Sequence, residues 1–242
     1  MRRESKRPDA EPRSSLEVRA RNTTLRATCT HSRDRGIRMR LGIIGAGHVG
    51  GTLGRLFEAQ GHDVHFGVRQ PNTQAAGGLP QSRSGSVADI AAKADVIILA
   101  VPWETVKEAL AATGPLTGKT VIDCTNPLLP DLSGLALGTT TSAGEEIAKL
   151  IPEAKVVKCF NTLGYANFAT PEFGEEKASM FFAGDDAGAK LIVAELGNQL
   201  GFDMIDAGPL SQSRWLEAMA MLWITMAYKY GGSQRSAFKL LR

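Results

Sequence analysis

Leu41-Gly-Ile-Ile-Gly45-Ala-Gly47-His48-Val49-Gly50 is the stretch that decides the fold. Its apolar run reads as a buried strand, its glycines as a tight turn, and the residues after them as a helix start. The three glycines fit the G-x-G-x-x-G pattern of a dinucleotide-binding turn. Gly45 permits the turn, Gly47 lets backbone approach a pyrophosphate, and Gly50 lets the helix pack near the strand. N–H groups of the helix's first turn would face that pyrophosphate with the helix dipole behind them. His48 sits inside the turn, far from where the chemistry of a dinucleotide takes place. Its expected role is therefore backbone positioning rather than catalysis.

Working outward, apolar spacing at Val49, Leu53, Leu56 and Phe57 predicts a helix over 49–60, closed by Gly61. Strands are expected at 63–68, 95–101, 119–123, 155–160, 178–183 and 202–206. The 71–85 loop has room for a short further strand. Helices are expected from 86, 102, 142, 187 and 212, two of them headed by capping boxes, Ser86-x-x-Asp89 and Ser142-x-x-Glu145. The last, 212–230, is apolar enough to need the sheet or a partner subunit against it. Alternating strands and helices imply an α/β fold: a Rossmann-type, doubly wound, mostly parallel sheet with C-terminal helices.

Charge is unevenly placed. Residues 1–38 hold eleven Lys/Arg against five Asp/Glu, while the chain as a whole is only +3. The rest of the chain is thus slightly acidic, which argues against a nucleic-acid interface on the folded body. The tail lacks large apolar residues and periodicity and reads as disordered. Its acids argue against a transit peptide, and it has no apolar core of a secretory signal. The domain reading is a basic tail over 1–38 and a nucleotide-binding domain with a C-terminal helical portion over 39–242. Met39 directly precedes the first strand and is the expected natural start; tail peptides found by mass spectrometry in the native protein would overturn that. No apolar run approaches the length of a membrane span, and the expected location is cytoplasmic. The three cysteines, Cys29, Cys124 and Cys159, are odd in number and scattered, which fits a reducing compartment rather than a disulfide or zinc framework. Cys124 and Cys159 are expected as small core residues.

Four places carry chemistry. The second strand ends Gly67-Val68-Arg69 with no acid to hold ribose hydroxyls; Asp63 stands at the wrong end. Arg69 offers a planar fork for a 2′-phosphate, which favours NADP(H) over NAD(H); the plain alternative is a solvated loop arginine. Ala100, Val101, Pro102 and Trp103 follow the fourth strand, and Asn126 the fifth, at the strand ends where α/β sheets bind ligands. Trp103 either stacks on a ring or covers the edge of the core. Asn161 and Thr162 follow another strand and could meet a nicotinamide carboxamide; a structural turn at Asn161 competes with that reading. Asp206-Ala-Gly-Pro-Leu-Ser-Gln-Ser-Arg214 by itself marks only a helix start. No catalytic acid, base, nucleophile or metal cluster stands out.

From Met39 onward the chain resembles the NADP oxidoreductase family that uses the deazaflavin coenzyme F-420 (F420). The matches are Gly45-Ala-Gly-His-Val-Gly50, Gly67-Val-Arg69, Val101-Pro-Trp-Glu104 and the specific Asp206–Arg214 run. Val157-Lys-Cys-Phe-Asn-Thr162 is more similar to a sister branch that includes the NADPH-binding domains of membrane ferric reductases. The resemblance implies a Rossmann fold, a homodimer and hydride transfer from NADPH to a small-molecule acceptor such as F420 or a flavin. By position, Ala46 to Val49 would line the pyrophosphate, and Val68 and Arg69 would meet the 2′-phosphate. The family commonly has Ser where Val68 stands, so one phosphate hydrogen bond is missing. Direct hydride transfer between stacked rings needs positioning more than a catalytic group. Two other readings stand: an NADP(H)-binding module without turnover of its own, and an imine- or hydroxyacid-type reductase. The latter would want a Lys near the nicotinamide, for which Lys158, set in a strand, is a poor candidate.

Overall fold

A computed structural model describes residues 38–69 and 83–242. The expected basic tail, except Arg38, lies outside these residues, as do Cys29 and most of the 71–85 loop. The first half runs β1 (Arg40–Ile44), α1 (His48–Ala59), β2 (Asp63–Gly67), β3 (Ser84–Gly85), α2 (Val87–Lys93), β4 (Val96–Leu99), α3 (Val106–Ala111) and β5 (Thr120–Asp123). The second runs α4 (Ala143–Leu150), β6 (Lys155–Lys158), β7 (Glu172–Phe173), β8 (Glu176–Lys177), β9 (Ser179–Gly184), α5 (Ala187–Gln199), β10 (Asp203–Asp206) and α6 (Ser213–Tyr228).

The main sheet has the order β10-β9-β6-β5-β4-β1-β2-β3. From β3 to β6 every pairing is parallel. Such strands are covered on both faces, which is why β1, β4 and β5 are continuous apolar runs, with Leu41, Ile43, Val96, Ile97, Ile98, Val121 and Ile122 all buried. The chain winds outward from β1 through β2 to β3, then returns and winds the other way from β4. The order therefore reverses between β1 and β4, and a crevice opens at that switch point. Both capping serines act as their sequences predict. Ser86 Oγ accepts from the Asp89 N–H and Ser142 Oγ from the Glu145 N–H, each cap contributing about 1 kcal/mol.

The far side of the sheet departs from simple alternation. β9 pairs antiparallel with β6, and only through Val157↔Gly184 and Lys158↔Ala183. The rest of β9, with β10 parallel beside it, therefore projects past the carboxyl end of β6. The connection from β6 to β9 carries no α-helix to return the chain to the starting edge, so β9 must run back antiparallel. The small β7–β8 hairpin lies in that connection. α6 packs on α4 and β9, burying Leu216, Ala220, Trp223 and Ala227. Beyond α6 the chain folds back: Trp223 Nε1 donates to the Ser236 carbonyl, the Ser179 N–H donates to the Phe238 carbonyl, and Lys239 pairs with Asp203 at 2.8 Å. None of the described helices is long and apolar enough to cross a membrane.

Candidate functional site

The glycine turn joins β1 to α1 at the switch point. Gly45 has φ +103°, and a Cβ there would lie 2.4 Å from the Ala100 carbonyl oxygen. A side chain at Gly50 would be still worse placed, its Cβ 2.1 Å from the Gly45 carbonyl oxygen. β1, α1 and β4 thus meet as closely as backbone allows. Gly47 differs: a Cβ there would meet nothing within 4 Å, so the space in front of the turn is open. Gly47 is also the N-cap of α1, with no side-chain cap and no acid in the first turn. The first N–H groups of this helix lack intrahelical acceptors and suit an anion.

A cleft of about 660 Å³ extends from this turn, lined by Gly45, Ala46, Gly47, Val68, Arg69, Ala100, Val101 and Pro102 among others. Eight of the residues singled out from sequence are therefore brought together. Its other wall, Thr105, Glu108, Ala109 and Ala112, carried no sequence signal, because nothing in an ordinary amphipathic helix marks the face it turns to a cleft. No carboxylate pairs with Arg69 among the described residues. Arg83, the next arginine among the described residues, is held by Glu58 at 3.2 Å. Asp63 is engaged by Arg40 at 3.0 Å and His65 at 2.9 Å at the opposite end of the strand, so no acid occupies the ribose position at the carboxyl end of β2.

Beyond the cleft, at the ends of β5 and β6, Asn126 and Asn161 form a reciprocal pair. Asn126 Nδ2 donates to the Asn161 carbonyl at 3.1 Å, and Asn161 Nδ2 donates to Asn126 Oδ1 at 3.0 Å. Asn161 Nδ2 also reaches the Leu216 carbonyl of α6, and Asn161 Oδ1 is left without a partner. The turn into this pair is made by Phe160, whose φ is +58°. A bulky residue pays about 1–3 kcal/mol for that conformation. Its ring is fixed by edge and tilted contacts with Phe57, Phe168 and Phe202. Thr162 is buried, its hydroxyl directed at the Met180 sulfur, and does not join the pair. Trp103 packs on the apolar cluster beneath α3, and Val49 and Gly50 lie behind the turn rather than in the cleft. His48 is exposed and stacks on Tyr165, ring centres 4.8 Å apart and 11° from parallel. That contact ties the start of α1 to the loop after β6.

Beneath the asparagine pair lies a buried ionic cluster. Lys158 Nζ is 2.6 Å from Asp123 Oδ2 and 2.8 Å from Glu217 Oε1, with all three side chains essentially inaccessible. It also donates to the Thr125 carbonyl at 2.8 Å. Glu217 in turn accepts from the N–H groups of Ala143 and Gly144, in the first turn of α4. Burial alone would push the Lys158 ammonium down, but Asp123 and Glu217 outweigh it and hold the group above the ordinary lysine value. Burial raises the Glu217 carboxyl against the pull of Lys158. Sequence reading dismissed Lys158 because its partners are far away in the chain and on other elements. Cys124 and Cys159 are buried and free. Burial pushes both thiols up, which leaves them without nucleophilic character.

The Asp206–Arg214 run proves more than a helix start. The Gly208 N–H donates to Asp206 Oδ1, the Leu210 N–H donates to Asp185, and Arg214 grips Glu145 of α4 with two donors at 2.8 and 2.6 Å. It seats α6 on α4, and so sets Glu217 under Lys158.

A family model described as NADP oxidoreductase, coenzyme F420-dependent, matches residues 40–127, the segment that contains the glycine turn and cleft. A crystal structure of a candidate F420-dependent NADP reductase from Arthrobacter sp. FB24 extends the likeness through α6. It is 32% identical, with a TM-score of 0.75, over 84% of this chain and 100% of that one. The chain belongs to the coenzyme F420-dependent NADP oxidoreductase family. That family is one of NADP(H)-dependent oxidoreductases, and the chain has the α/β architecture of the NADP-binding Rossmann reductases. Two curated relatives are also similar. The F420-dependent NADP reductase of Methanocaldococcus jannaschii is 30% identical over 59% of this chain and 66% of its own. The metalloreductase STEAP3 of Rattus norvegicus is 29% identical over 75% of this chain. The chain spans just under two thirds of the first and 36% of the second.

Proposed function

We propose that this protein transfers hydride between NADP(H) and a planar acceptor, the deazaflavin F420 or a flavin. The observation that carries the reading is the composition of the switch-point cleft: uncapped helix N–H groups at one end and, at the other, Arg69 with no carboxylate partner and no ribose-binding acid beside it among the described residues. Such a cleft suits a dinucleotide with an extra phosphate. On this reading Ala46, Gly47 and His48 receive the pyrophosphate through backbone N–H groups, with Val49 behind them in the first turn of α1. Arg69 receives the 2′-phosphate through its fork of donors, beside an apolar Val68. Ala100, Val101 and Pro102 form the floor. Asn126 and Asn161 lie toward the nicotinamide end, where the spare Asn161 Oδ1 is an acceptor for a carboxamide N–H. Bound NADPH supplies the hydride. The protein's part is to hold the nicotinamide still, admit a second ring against it and exclude water. No side chain has to give or take a proton for that transfer.

The location in the cytoplasm and the homodimer belong to the same proposal. Trp215, Leu222 and Met226 share one exposed face of α6, a surface suited to a second copy. The division into a tail over 1–38 and a nucleotide-binding domain over 39–242 is likewise a proposal. A second functional reading has one observation in its favour. The likeness to the rat metalloreductase covers 75% of this chain and 36% of that protein, so the shared part is one portion of a larger redox protein, as an NADP(H)-binding module would be. Absorbance at 340 nm during incubation with NADPH and F420, FMN, FAD or a ferric chelate tests both. Turnover with the deazaflavin or a flavin is the expected result. Tight NADPH binding with no turnover on any acceptor would replace it with the module reading.

A further inference from the structure

We propose that Lys158 is a positioning residue for the nicotinamide end of the site, acting through the asparagine pair. The inference rests on the reading that the cleft holds NADP(H). The ammonium has three hydrogens and three acceptors, Asp123 Oδ2, Glu217 Oε1 and the Thr125 carbonyl. Two of these acceptors adjoin the asparagine pair from opposite sides. Thr125 immediately precedes Asn126. Glu217 immediately follows Leu216, whose carbonyl receives Asn161 Nδ2 at 3.2 Å. One buried nitrogen therefore fixes the backbone on both sides of the pair, and Asp123 anchors that nitrogen to the sheet through the Asp123↔Lys158 register.

The ionic cluster is a costly way to hold a fold together. Each ion loses several kcal/mol of hydration, and a well-packed apolar replacement often does as well or better. What an apolar side chain could not do is hold a carbonyl on one side and a helix carboxylate on the other at defined hydrogen-bond distances. Buried polar atoms without a partner gather at the same place among the described residues: Thr125 Oγ1, Asn161 Oδ1 and Ser213 Oγ. Ser213 lies one helical turn before Glu217 in α6, and all three residues border the cluster or the pair. Such leftover acceptors and donors mark a site organised around position rather than around satisfying every atom.

The test compares two ligands that share the adenosine 2′-phosphate but not the nicotinamide. Binding of NADPH and of 2′,5′-ADP is measured by calorimetry for the full chain. The variant Lys158→Met/Asp123→Asn/Glu217→Gln removes the cluster without leaving a charge buried alone. NADPH is expected to weaken at least tenfold while 2′,5′-ADP changes less than twofold. The second ligand also controls for the change in net charge. Asn161→Ala, which leaves the cluster intact, is expected to give the same selective loss. Equal change in both ligands, or a selective loss in only one of the two variants, would overturn the positioning role and leave the cleft reading in place. Failure of the unmodified protein to bind either ligand would overturn the cleft reading and this inference with it.

Discussion

The two ends of the carboxyl edge are built on opposite principles. At the β1–β4 junction the site is made of backbone: glycines too close for any side chain, uncapped N–H groups, and a cleft whose described cation is Arg69. At the β5–β6 junction it is made of side chains: an amide pair, a strained phenylalanine and a buried lysine between two carboxylates. The first depends on what is absent at Gly45 and Gly50. The second depends on partners supplied by α4 and α6. On the proposed reading, the backbone end serves a phosphate shared by every dinucleotide, and the side-chain end serves the ring that reacts.

The largest effect is expected at the ionic cluster. Glu217→Ala strands Lys158 beside one carboxylate and frees the first turn of α4; a loss of about 3–5 kcal/mol is expected, read from urea unfolding. Stability within 1 kcal/mol of the parent would mean the cluster is not dry. Gly50→Val attacks the backbone end. Its Cβ would have to displace the Gly45 carbonyl, with an expected cost of about 3 kcal/mol and loss of NADPH binding; a variant with normal thermal melting and normal affinity would show that close approach does not shape the turn. Arg69→Ala sharpens the contrast rather than breaking it. NADPH should weaken by roughly 10- to 100-fold, the worth of a charge-assisted contact, while NADH is unchanged; equal effects on both would return Arg69 to the status of a solvated arginine. The smallest effect concerns Glu145 and Arg214. Hydrogen bonding by Arg214 holds the Glu145 carboxyl below its usual 4.5. A depressed carboxylate contributes stability that is complete above the unfolded value and lost as pH falls through the folded one. The Tm advantage of the parent over Glu145→Gln should thus be constant at neutral pH and vanish progressively below about pH 4.5. An advantage that persists at pH 2 would assign it to packing.

The backbone end was legible in the sequence because its signal is local. Gly45, Gly47 and Gly50 lie within one turn, and Arg69 closes the very next strand. The apolar runs and the serine caps fixed most element boundaries for the same reason. The side-chain end was legible only as isolated letters. Asn126 and Asn161 are 35 residues apart, and Ala143 meets Glu217 across 74; no spacing rule connects them. Thr162 was grouped with Asn161 by adjacency, but the twist at Phe160 sends its hydroxyl to Met180 instead. The overhang of β9 escaped notice because an apolar run reveals a strand and not its direction or register.

The left-handed Phe160 has a consequence for redesign. A glycine would relax its backbone and forfeit its ring; any other side chain would keep the strain and lose part of the packing. The position is therefore locked to its three aromatic neighbours, Phe57 on α1, Phe168 in the following loop and Phe202 before β10. Exchange of the 161–171 loop between relatives, as a route to a new acceptor, is consequently a graft of four dispersed rings. Transplanted without them, the loop would arrive with its asparagine aimed elsewhere.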